Sequence, residues 1–310
     1  MKVIHTVSCA LVFSIALTFL PCAAVSKSAV VTDNAAISES AVVSDNAAVS
    51  GGGVLSGGAA IASGGASCGA RMSVSAHGPC RGVVNVCVGG VTDKRIRIGV
   101  EAVNSEKSYY FPVFRDEDDI EIPLMWGNDE YFISLYEEFR AGQYELLDYA
   151  IVDLCMEDYS DVYLASSVMA PWEGAEATAA KALELIADRE SEYGRFLAIY
   201  HYIVDNIDYD AEKDPDDDYR SSPDDTLANG SGICLDYAVL TSAMLRGLGV
   251  KCKLIYGYVA ESDVLHSWNE VYIRGRWIVV DTTRDARSRK LETPYNYTKS
   301  RNDYTVKYAF

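Results

Sequence analysis

Basic residues are scarce. Only 27 Lys and Arg stand against 45 Asp and Glu, a formal charge of −18 over 310 residues. That shortage excludes nucleic acid as a partner, since its phosphates call for clustered Lys and Arg. It also excludes docking on an anionic membrane surface. Histidine is scarcer still, with four in the chain. No CxxC pair and no Cys/His spacing of the zinc type occurs, so neither a structural metal nor any other cofactor is expected. Beyond Ala24 no stretch is long and apolar enough to cross a bilayer. What remains is a chain that is 49% hydrophobic, enough for one large core or two moderate ones. Its acidity suits solubility and a basic partner or substrate.

The first 24 residues read as a secretory signal. Lys2 gives the positive start, Val7 to Leu20 is apolar apart from Ser and Thr, and Cys22-Ala23-Ala24 offers small residues for cleavage. The expected address is therefore secreted or cell-surface. Cys68, Cys80, Cys87, Cys155, Cys234 and Cys252 remain after cleavage. One local disulfide among Cys68, Cys80 and Cys87 suits an oxidising compartment.

Residues 25–67 carry a period of six. Val31, Ile37, Val43, Val49, Leu55 and Ile61 mark it, with Ala29, Ala35, Ala41, Ala47 and Ala59 two places earlier. The pattern resembles the hexapeptide repeat of left-handed parallel β-helices, which implies a short β-helix. A flexible small-residue stalk is the other reading. Residues 68–91 are Gly- and Cys-rich and are expected to be a linker. From 92 to 170 the pattern is strand-like. Ile96, Ile98 and Val100 alternate with Arg95, Arg97 and Gly99, Ile120 and Ile122 flank Glu121, and Gly127-Asn128-Asp129 marks a turn. A small β-rich domain follows from this.

Residues 171–310 change period. Ala180, Leu183 and Ile186 form one helical stripe, and Phe196, Ile199, Tyr200 and Ile203 form another. An acidic loop runs from Asp214 through Asp225. Asp214, Asp216 and Asp218 alternate as in a calcium loop, yet the glycine and the closing glutamate are missing, so a solvated loop is expected. A third helix follows Gly232. Three strands come after it, at Cys252–Val259, Leu265–Ile273 and Trp277–Thr282, with a tight hairpin at Arg274-Gly275-Arg276.

Three side chains there can perform acyl transfer. Cys234 sits in the first turn of the third helix, after Asn229-Gly230-Ser231-Gly232. Unpaired N–H groups and the helix dipole favour a thiolate at that point, and the amide of Cys234 itself is the expected oxyanion donor. His266 opens a strand, with Trp268 on its face as a wall for the site. His77 stands in the Gly-rich segment and His201 in a helix between two tyrosines, which leaves His266 as the base. Asp281 ends the next strand, where a carboxylate among Ile278, Val279 and Val280 requires a buried partner. Asp285 is the fallback.

These segments resemble the transglutaminase-like superfamily over roughly 178–285. The likeness rests on Gly232-Ile233-Cys234-Leu235-Asp236-Tyr237-Ala238, on His266 to Tyr272, and on Trp277 to Thr283, with Asn206–Asp210 before them. It implies an α+β, papain-like core in which a helix-borne Cys packs on antiparallel strands. It also implies Cys234 as nucleophile, His266 as general base and acid, and Asp281 as orienter. The family's side-chain oxyanion donor maps onto no residue here. The expected activity is a thioester-forming cysteine hydrolase acting on a protein or peptide, including cell-wall or surface proteins. Glutamine-to-amine transfer is the alternative, and a non-catalytic surface-binding module is the third reading. The triad alone does not choose among these.

Overall fold

The computed structural model describes residues 25–32, 38–43, 53–54, 59–62, 71–76, 82–89, 94–105, 107–113, 119–215, 219–260 and 262–310. In chain order its strands begin with β1 (Val25–Thr32), β2 (Ser38–Val43), β3 (Gly53–Val54), β4 (Ala59–Ala62), β5 (Met72–Ala76) and β6 (Val83–Val88). Then come β7 (Ile96–Ala102), β8 (Lys107–Val113), β9 (Asp119–Pro123), β10 (Glu130–Arg140) and β11 (Gln143–Leu154). The second half runs α1 (Glu176–Leu185), α2 (Glu192–Asn206), β12 (Asp208–Tyr209), α3 (Pro223–Asn229), β13 (Ser231–Gly232) and α4 (Cys234–Gly247). It closes with β14 (Cys252–Val259), β15 (His266–Ile273), β16 (Arg276–Val280), α5 (Thr282–Lys290) and β17 (Tyr304–Ala309). The chain is thus a mixed α/β protein built on antiparallel sheets.

An eight-stranded sheet runs β2-β1-β11-β10-β7-β8, with β4 also on β11 and β3 on β4. The alternation seen in the sequence sets its inner face: Ile96, Ile98 and Val100 of β7 are buried, as are Tyr131, Ile133 and Leu135 of β10. A three-stranded sheet, β5-β6-β9, packs its Val84, Val86, Ile120 and Ile122 into the same cluster. Residues 68–91 were expected to be a linker, yet they hold β5 and β6. The alternating Val84-Asn85-Val86 was the signal for a strand there.

The six-residue repeat lies largely outside the described residues. Where its backbone is described, β1 pairs antiparallel with both β2 and β11, and β4 pairs antiparallel with β11. Parallel coils, which the β-helix expectation required, are not the pairing of these strands. Cys68 and Cys80 also lie outside the described residues. The Sγ of Cys87 is 2.6 Å from Asp119 Oδ1.

The second half is organised around α4. Every residue from Asp236 to Arg246 on it is buried, so it is enclosed on all sides, with Asp236, Thr241, Ser242 and Arg246 satisfied by partners inside. Burying Leu240, Met244 and Leu245 contributes about 1.5–3 kcal/mol each. Behind α4 lies the sheet β16-β15-β14-β17. Its β15–β16 hairpin turns at Arg274 and Gly275, both with positive φ, the conformation a two-residue turn requires.

In the second half α3, α5 and β17 were also not foreseen. The stretch Pro223–Asp225, expected to be loop, is the first turn of α3. Its cap is Ser222, whose hydroxyl accepts from Asp225 N–H, and Pro223 opens the helix. Ser, then Pro, then two acids is a helix start the sequence did spell out. Asp224 also receives the N–H groups of Ala177 and Thr178, which caps α1. Helix α5 and strand β17 carry weak apolar patterns and went unread.

Candidate active site

Cys234 owes its place to the chain just before it. Helix α3 ends on Gly230 in the left-handed region (φ 62°), where glycine escapes the Cβ penalty. Strand β13 then pairs in parallel with β12, Tyr209 opposite Gly232. A Cβ on Gly232 would lie 2.5 Å from the Cβ of Asp236, so only glycine lets the chain fold back onto the helix start. Ile233 is extended and Cys234 is the first helical residue. At that position its N–H has no partner within the helix. Asp236 Oδ2 accepts the N–H of Ile233 at 2.9 Å, which satisfies one orphan donor at the helix start; the Cys234 thiol is half-buried.

His266 stands beside it at the opening of β15, opposite Gly257 of β14. Its Nε2 lies 2.8 Å from Asp281 Oδ2, and Cys234 is near enough to act on the charge of the ring. Burial alone would lower the imidazole pKa. The bond to Asp281 and then the nearby Cys234 outweigh it and hold the ring up at about 9. An imidazolium bonded to the Asp281 carboxylate is therefore favoured near neutral pH.

Asp281 is fully buried. Its Oδ2 also accepts the hydroxyl of Tyr304 at 2.9 Å, while Oδ1 accepts Arg284 N–H at 2.9 Å and so caps α5. Asp281 therefore joins the imidazole through one oxygen and caps the following helix through the other. Asp285, the fallback, is occupied elsewhere. It takes the hydroxyl of Tyr200 at 2.8 Å and the ammonium of Lys299.

Trp268 lies nearly parallel to His266, centroids 6.2 Å apart, with Tyr304 edge-on at 4.9 Å. It is 1% exposed, so it walls the histidine–carboxylate pair from water. Asn269, on the opposite face of β15, donates to Ala238 O of α4 at 3.0 Å. That bond ties the strand of the histidine to the helix of the cysteine.

Tyr304, Lys213 and Tyr219 contribute to this site and were missed in the sequence. Tyr304 comes from β17, with no motif around it. Lys213 is the single base in the acidic stretch Asp208–Asp218, and that oddity was the available signal. Among the described residues no group of His, Cys, Asp and Glu is arranged to hold a metal ion. Asp216 and Asp218 of the calcium-like pattern lie outside the described residues. No described helix is long and apolar enough to cross a membrane.

Residues 179–282 match the family model of the transglutaminase-like superfamily. Among curated proteins, the chain is 32% identical over 111 residues to the kyphoscoliosis peptidase of Mus musculus and 31% identical over 111 residues to that of Homo sapiens. Each match takes in 32% of this chain and 17% of the relative, so the chain spans about a sixth of their length. Among solved structures, the periplasmic domain of TgpA from Pseudomonas aeruginosa aligns over 66% of this chain and 92% of its own, at 14% identity and a TM-score of 0.37.

Proposed function

We infer, from the transglutaminase-like core domain that residues 179–282 carry, that this protein is an exported cysteine hydrolase. It would form a thioester with the acyl group of a peptide or carboxamide. The observation that carries this reading is His266, bonded to the buried carboxylate of Asp281 at 2.8 Å with Cys234 close by. Export rests on Lys2 and the apolar run Val7 to Leu20. Kyphoscoliosis peptidase, similar over 111 residues, points to a peptide substrate as well.

The residues divide the chemistry between them. Sγ of Cys234 attacks the carbonyl carbon as thiolate, forming the C–S bond while the carbonyl oxygen takes the charge. That oxygen is met by the Cys234 N–H and the positive end of α4. The imidazolium of His266 gives its proton to the departing nitrogen, and the C–N bond breaks. Neutral His266 then takes a proton from water, whose oxygen adds to the thioester carbon. Sγ leaves as thiolate and the acid product departs. Throughout, Asp281 fixes which ring nitrogen faces the sulfur. Trp268 lies against His266 and shields the His266–Asp281 bond.

Iodoacetamide labelling of Cys234, Cys155 and Cys252, resolved by mass spectrometry, tests the nucleophile. Cys234 is expected to label fastest near neutral pH. Cys155 is exposed without these partners, and burial pushes the Cys252 thiol up to about 12. Equal rates at Cys234 and Cys155 would refute the reading. Incubation with a glutamine-containing protein and a labelled amine tests the acceptor. Peptide cleavage or ammonia release lost in Cys234→Ala is expected, and amine incorporation lost in the same variant would make the enzyme a transferase.

A further inference from the structure

The acidic loop after β12 reaches the nucleophile. Asp210 N–H donates to Gly232 O at 3.0 Å, and the Asp210 carboxylate turns the chain by accepting the N–H groups of Glu212 and Lys213, both at 3.1 Å. Lys213 Nζ then comes back to Asp236 Oδ2 at 2.8 Å, while Tyr219 O–H donates to Asp236 Oδ1 at 2.6 Å. Lys213 also bonds the Tyr219 hydroxyl and lies 4.4 Å over its ring. Asp236 is wholly buried, two residues after the nucleophile in the first turn of α4. At its far end the loop is pinned through Arg220, which donates to Pro112 O of β8 at 2.7 Å.

A buried carboxylate beside a thiol opposes ionisation of the thiol, and a cation on that carboxylate removes the opposition. The remaining titratable groups facing Cys234 are His266 on β15, Tyr209 on β12 and Tyr256 on β14, with Asp281 behind His266. None of them contacts Asp236 by a hydrogen bond. Lys213 is the cation that does.

We propose that Lys213 and Tyr219 are positioning residues for Cys234. Acting through Asp236, they fix the Ile233–Cys234 backbone and cancel the charge that Asp236 places beside the thiol. The loop that the sequence presents as a solvated acidic segment is on this account a working wall of the site. The inference rests on Cys234 being the nucleophile.

The test follows the pH dependence of Cys234 alkylation in the full chain, with thermal unfolding of each variant in parallel. In Lys213→Met the midpoint is expected to rise by about one pH unit and the rate at pH 7 to fall about tenfold. Lys213→Arg keeps the charge and stays within about twofold of wild type. Asp236→Asn added to Lys213→Met keeps an acceptor for Ile233 N–H and removes the anion. It is expected to recover the rate to within about threefold, which a merely structural role would not do. A Lys213→Met profile that superimposes on wild type, or a double variant no faster than the single one, overturns the proposal. Should Lys213→Met not fold, Tyr219→Phe serves instead. It removes the hydroxyl's bonds to Asp236 and Lys213 and no charge, and a slowing of about threefold is expected; an unchanged profile there counts equally against the proposal. Wild-type Cys234 reacting no faster than Cys155 would sink the proposed function itself, separately from the role of Lys213.

Discussion

The two oxygens of Asp281 serve two structures at once: Oδ2 holds His266 and Tyr304, and Oδ1 holds the start of α5. Anchoring the carboxylate at both ends is what lets it hold the imidazole in one orientation. The charge on His266 then has a consequence for stability. Its pKa rises from an ordinary 6.5 to about 9 on folding. A group raised in this way stabilises the fold fully below pH 6.5, and the contribution is lost as pH climbs through about 9. The side chain is 17% exposed, so the contribution is on the order of 3 kcal/mol. The melting temperature is therefore expected to fall between pH 6.5 and 9.5 in the wild type, and to fall much less in His266→Gln. Identical slopes in the two proteins would show that the histidine is not charged in the folded state. Sequence reasoning reached Cys234, His266 and Asp281 because each stands in a motif. It missed Tyr304 because a lone tyrosine in a weakly patterned strand carries no local sign of its distant partner.

Among elements, β14 and β17 meet at a contact that tolerates one residue only. A Cβ on Gly257 would lie 2.0 Å from Thr305 O and 2.6 Å from Trp268 Cη2. Gly257→Ala is expected to cost about 3 kcal/mol or more in chemical denaturation and to change Trp268 fluorescence, since the indole must move. A variant as stable as wild type would mean that β17 does not pack there. Helices α1, α2 and α4 were legible because their apolar residues recur with the right period. Helix α5 was not, because Arg284, Arg287, Arg289 and Lys290 leave it almost no apolar stripe. It is held instead by the Asp281 cap and by buried Asp285. Strand β17 has exposed Thr305 and Val306 on an edge of the sheet and becomes a strand through pairing with β14.

On the scale of the whole molecule, the two halves share a core. One apolar cluster contains Ile98, Ile120 and Ile133 of the β-rich sheets together with Ala238 and Val239 of α4, Leu254 of β14 and Phe310. Arg246 reinforces the junction. Its guanidinium, fully enclosed, donates to Cys252 O, Ala165 O and Phe310 O at 2.7–2.8 Å. Burial lowers its pKa to about 10, so it remains charged at neutral pH. Arg246→Leu leaves three enclosed carbonyls without that donor and is expected to cost about 3 kcal/mol or more. Because one cluster spans both halves, calorimetry of the wild type is expected to give a single transition for the β-rich part and the transglutaminase-like part. Two well-separated transitions would show that the halves unfold independently.

The chain's own order of residues determined the reagents and their local settings. A Gly-rich turn before a helical Cys, a His opening one strand and an Asp ending the next are short-range features, written within a few residues of one another. Tertiary structure decided everything that depends on segments far apart meeting. It selected Asp281 over Asp285 for His266, because Tyr200 and Lys299 already occupy the latter. It brought Tyr304 from β17 onto the carboxylate, and it folded the acidic loop so that Lys213 and Tyr219 close on Asp236 beneath Cys234. The reason is physical: a buried charge must find its partner wherever packing brings one, and sequence separation carries no record of that meeting.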